Sequence, residues 1–74
     1  MSMHKQVYWC GDVPTTDDFS CLIDKELIDG KTKMGPWALM TPASWRRHGI
    51  GHLGLGRGQR YEKQSDGKWL KVEG

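Results

Sequence analysis

Gln59-Arg60-Tyr61-Glu62-Lys63-Gln64-Ser65-Asp66-Gly67-Lys68-Trp69-Leu70-Lys71-Val72 is the stretch that decides the fold class. Two short β-prone runs flank Ser65-Asp66-Gly67, and Asp-Gly between such runs suits a tight hairpin turn because glycine accepts positive φ without a Cβ clash. Trp69 falls on the opposite face from Lys68 and Leu70, the period of a half-buried strand. The chain is therefore expected to close with a β-hairpin. Upstream, Thr41-Pro42-Ala43-Ser44-Trp45-Arg46-Arg47-His48-Gly49 carries the signals of a short helix. Thr41 can cap, Pro42 fits the first turn, basic residues complement the negative end of the helix dipole, and Gly49 can end it. Trp45, four residues after Thr41 and three before His48, is the expected anchor of this helix on the sheet.

Between helix and hairpin, Gly49, Gly51, Gly54, Gly56 and Gly58 alternate with apolar and polar side chains, too glycine-rich for a helix and read as a shaped loop. Toward the N-terminus, Glu26-Leu27-Ile28 and Trp37-Ala38-Leu39-Met40 read as the arms of a second hairpin, with Asp29-Gly30 as its turn and Gly35-Pro36 lengthening the return. Thr15-Thr16-Asp17-Asp18 resembles the start of a single helical turn. Val7-Tyr8-Trp9-Cys10 is a short edge strand stopped by Gly11-Asp12-Val13-Pro14. The sum is one α+β domain over 1–74, with two β-hairpins, one short helix and a flexible lead-in over 1–6.

The chain has 74 residues, 36% hydrophobic and 27% charged. A domain this short buries only about 60% of its unfolded surface, so its stability should be marginal and its seven aromatics must supply much of the core. The net charge is +2, unevenly spread: residues 1–45 hold four lysines against six acids, while 46–74 hold seven Lys and Arg against three acids. No apolar run has the length of a signal peptide or a membrane span, which points to a cytoplasmic protein without membrane contact. Cys10 and Cys21 are then expected as reduced thiols.

Most chemistry-bearing patterns fail on context. Gly49-x-Gly51-x-x-Gly54 has the lettering of a dinucleotide fingerprint, but it follows a helix and leaves no room for a βαβ unit. His48 and His52 have zinc-like spacing, yet ten residues separate Cys10 from Cys21, too many for a metal knuckle. No nucleophile with a base and no specific carboxylate pair stands out, so the reading is a binding protein without cofactor rather than an enzyme. Arg46, Arg47, Arg57, Arg60, Lys63, Lys68 and Lys71, interleaved with Trp45, Tyr61 and Trp69, form either an ordinary solvated surface or a face for phosphates and stacked bases.

From Phe19-Ser20-Cys21, through Ile28-Asp29-Gly30-Lys31-Thr32-Lys33-Met34-Gly35-Pro36-Trp37-Ala38-Leu39-Met40, to Gly54-Leu55-Gly56-Arg57-Gly58-Gln59-Arg60-Tyr61 and Asp66-Gly67-Lys68-Trp69-Leu70-Lys71-Val72-Glu73-Gly74, the chain resembles small phage-encoded zinc-ribbon-like proteins. The likeness covers residues 18–74. In those proteins two Cys-x-x-Cys pairs flank the middle stretch; here Asp18 and Cys21 stand at the first pair and Thr41 and Ser44 at the second. The resemblance thus implies a degenerate zinc ribbon without metal, since one oxygen and two hydroxyls cannot replace thiolates, its fold held by packing alone. It further implies a phage transcription regulator in the cytoplasm of a bacterial host. Such a regulator binds host RNA polymerase, inhibits initiation and promotes antitermination, with nascent RNA as a second contact. On chemistry alone, the partner-binding residues expected of such a monomer are Val7, Tyr8 and Trp9 as a β-edge, with Arg46, Arg47, Arg57 and Arg60 as its cationic contacts. The alternative is a small basic protein that binds single-stranded nucleic acid.

Overall fold

The computed structural model describes residues 6–74, so the lead-in expected over 1–6 lies, except for Gln6, outside the described residues. The fold is α+β: strands β1 (Glu26–Lys31), β2 (Trp37–Met40), β3 (Gly58–Lys63) and β4 (Trp69–Glu73), with one helix, α1 (Pro42–His48), between β2 and β3. The strands form one antiparallel sheet in the order β2-β1-β3-β4. Two hairpins are thus joined along β1 and β3, where Leu27 lies opposite Tyr61 and Ile28 opposite Arg60.

Each face of the sheet buries a small cluster. On one, Ile28 and Met40 are cross-strand partners beneath α1, and the Trp45 ring lies over Gly30. A Cβ on Gly30 would stand 2.7 Å from Trp45 Cζ3, so this position must be glycine for close packing. On the other face, fully buried Leu27 sits beside Tyr61, whose ring meets Trp9 edge to face at 5.4 Å. Hydrophobic burial here falls mainly on Leu27, Ile28, Met40 and Tyr61. The tryptophans contribute less than expected: Trp9, Trp45 and Trp69 are half-buried and Trp37 is exposed.

The helix forms as its sequence dictates. The Thr41 hydroxyl accepts the Ser44 N–H, Pro42 opens the first turn, and the Gly49 N–H donates to the Trp45 carbonyl. Two other elements depart from expectation. Asp29-Gly30 does not turn; β1 runs through it, and the chain reverses at Thr32–Pro36, where the Thr32 N–H and hydroxyl both donate to the Pro36 carbonyl. Thr15–Asp18 starts no helix; Thr16 bridges Leu22 and the segment between them loops over to β2 and α1.

Candidate interaction surface

Asp17 organises that loop. Its Oδ1 accepts the N–H groups of Phe19 and Cys21, both at 2.9 Å, and its Oδ2 accepts the Thr41 N–H at 2.8 Å. Burial alone would raise its pKa, but hydrogen bonds from the Ser44 side chain and the Thr41, Cys21 and Phe19 amides outweigh it and hold the carboxyl well below the usual range. Asp18 clips the outer edge of β2, accepting from Leu39 N–H through Oδ2 and donating its own N–H to the Leu39 carbonyl. The fold therefore does not rest on packing alone. A buried carboxylate joins the Asp18–Cys21 segment to the Thr41–Ser44 turn. Among the described residues no three His, Cys, Asp or Glu side chains converge as metal ligands, and both cysteines are free thiols.

The expected contact residues do not gather into one patch. Val7–Trp9 runs beside β4, with Trp9 N–H on the Trp69 carbonyl and Lys71 N–H on the Val7 carbonyl around a Tyr8–Leu70 bridge. The antiparallel alternation leaves the Tyr8 N–H and C=O facing away from the sheet. Val7 and Tyr8 are exposed, and Lys68 Nζ stands 5.7 Å from the centre of the Tyr8 ring. Trp9 belongs partly to the core: half-buried against Tyr61, its indole Nε1 is buried with no hydrogen-bond partner among the described residues. Arg47, in the last turn of α1, lies beside Trp37 and Ala38 of β2, roughly 19 Å from Val7–Trp9 across four strand spacings, whereas Arg46 shares a hollow with Glu26, Arg60 and Glu73.

Arg57 and Arg60 differ. Arg57 is exposed, while its backbone pins the glycine loop, donating to the Gly54 carbonyl and accepting from Lys31 N–H. Arg60, expected as a free cation, is enclosed by three carboxylates: Glu62 at 2.8 Å, Glu26 at 2.9 Å and Glu73 at 3.2 Å. A register shift between Arg60 and Tyr61 sets Glu73 opposite Arg60. The Glu62 hydrogen bond foremost, opposed by burial and aided by Glu73 and Glu26, raises the Arg60 pKa further. Its role is internal.

A groove of about 380 Å³ between the C-terminal end of α1 and the β1–β2 turn was not foreseen. Phe19 and His48 form one wall, stacked at 3.9 Å and nearly parallel, while Trp37 and Met34 contribute apolar surface and Lys33 and Arg47 positive charge. Met34 is 90% exposed at the tip of the turn, where Gly35 adopts φ +109°. The isolated, uncompensated Met34 within a Lys-rich turn was the one available sequence signal; the Phe19–His48 stack joins residues with no local relation.

Comparison of the chain with protein-family models, with curated proteins and with solved structures returns no match. Among the described residues no helix is long and apolar enough to cross a membrane.

Proposed function

We propose that the protein is a binding module rather than an enzyme, and that it acts as a phage regulator of host bacterial RNA polymerase, inhibiting initiation and promoting antitermination in the host cytoplasm. The polymerase assignment comes from the zinc-ribbon-like resemblance. The observation that carries it is the Asp17 junction: the segments that the resemblance aligns with two cysteine pairs, Asp18–Cys21 and Thr41–Ser44, lie against one another, bridged by a carboxylate. The binding-module class draws support from the exposed apolar side chains of Val7, Tyr8, Phe19, Met34 and Trp37 on so small a domain. Arg46, Arg47 and Arg57 provide the free cationic contacts.

Size-exclusion chromatography with purified polymerase, core and holoenzyme separately, at physiological salt, tests this reading. Co-elution with either form is the expected result, and a preference for core indicates competition with the initiation factor. Absence of co-elution with both forms of the correct host enzyme refutes it. Binding to a single-stranded oligonucleotide that weakens log-linearly with salt then favours nucleic acid as the partner.

A further inference from the structure

The groove beside α1 combines apolar side chains, Met34 and Trp37 among them, with cationic Lys33 and Arg47. Its volume, about 380 Å³, suits one or two large side chains rather than an extended ligand. Lys33 Nζ donates to the Arg47 carbonyl at 3.2 Å, which holds two cationic residues together at the end of the helix. The ion pairs among the described residues all belong to Arg60, so no carboxylate neutralises Lys33 or Arg47, and none lines the groove. The doubly bonded Thr32–Pro36 turn fixes the shape before any partner arrives, which lowers the ordering cost of binding.

These features select among occupants. A nucleic-acid strand needs a track of cations along its phosphates and open aromatic faces for its bases. Here the two cationic residues sit at one place, and Phe19 and His48 already cover one face of each other. Aliphatic Met34 beside Trp37 instead fits an apolar side chain, and Lys33 and Arg47, without carboxylate partners among the described residues, call for carboxylates. The geometry points to this groove as the docking site for an acidic peptide segment of a protein partner. That segment inserts one bulky apolar side chain against Trp37 and Met34 and places its flanking carboxylates on Lys33 and Arg47. The assignment rests on the reading of the chain as a protein-binding module, not on polymerase being the protein bound.

The test is an NMR titration of the full ¹⁵N-labelled chain with the capped peptide Asp-Glu-Phe-Leu-Asp-Glu, a control in which serines replace Phe and Leu, and an eight-residue oligothymidylate. Expected are saturable amide shifts confined to residues 32–38, Phe19 and 47–49, with the serine control weaker by about tenfold or more. Met34→Glu and Arg47→Glu, both at exposed side chains, should weaken the peptide by a similar factor while leaving the remaining spectrum unchanged. The proposal is overturned by any of three results: no saturable groove shifts at millimolar peptide, equal binding of the serine control, or saturation by the oligonucleotide alone. Peptide binding without polymerase co-elution removes polymerase and keeps the groove. Co-elution without peptide binding does the reverse.

Discussion

Replacing Asp17 by asparagine keeps the side chain's shape and removes both its charge and one acceptor. If the amide nitrogen takes the place of Oδ2, it faces the Thr41 N–H; if it takes the place of Oδ1, it faces those of Phe19 and Cys21. At least one buried or part-buried donor is therefore orphaned, at about 1–3 kcal/mol, and the surviving bonds lose their charge assistance. The expected total is about 3 kcal/mol at pH 7, from a domain whose whole stability is on the order of 4–11 kcal/mol at this length. Urea unfolding followed by tryptophan fluorescence measures it. Because the folded carboxyl is held well below its ordinary value of 3.8, its contribution is complete above about pH 4 and lost as pH falls toward the folded value. The gap between wild type and Asp17→Asn should thus narrow by about 1 kcal/mol per pH unit below pH 4. A gap under about 0.5 kcal/mol at pH 7, within the range of ordinary surface changes, would refute the reasoning, as would one indifferent to acid.

Trp9→Ala should cost about 2–4 kcal/mol in urea unfolding through lost packing on Tyr61, whereas Trp9→Phe, which keeps a ring and removes a buried Nε1 donor unpartnered among the described residues, should cost under about 1 kcal/mol. Arg60→Met leaves Glu26, Glu62 and Glu73 facing one another and should lower stability by about 1 kcal/mol at pH 7, an effect that thermal melts should show shrinking in high salt. Asp29 has its pKa raised by burial and then by Asp18, so its ionised form opposes folding above the unfolded pKa. Asp29→Asn should therefore raise the urea midpoint at pH 7 and change it little below pH 3.

Elements set by contacts between near neighbours in sequence were legible. The α1 boundaries follow from Thr41, Pro42 and Gly49, and the β3–β4 hairpin from Ser65-Asp66-Gly67. Elements set by distant partners were not. Asp29-Gly30 has turn chemistry, but Gly30 is needed by the ring of Trp45, fifteen positions later in the chain. Asp17 has capping chemistry, yet the N–H groups it receives include that of Thr41, across a tertiary contact. Arg60 reads as one more basic residue until β1 and the register shift in β4 bring Glu26 and Glu73 to it. The candidate contact residues were chosen by type, but their scatter across the sheet depended on the β1–β3 pairing, which has no local signal.

The docking of Val7–Trp9 on β4 also fixes when this fold can be completed. On the ribosome, residues 7–9 are made long before Trp69 and Lys71 exist to receive them, and β1 likewise precedes β3. A nascent chain that ends before β4 would carry Trp9 and the open edge of β3 unshielded, a pairing surface for other chains. Assembly is therefore tied to synthesis of the last strand. Premature termination or slow translation across 59–71 should appear as lost soluble protein rather than as a smaller folded product.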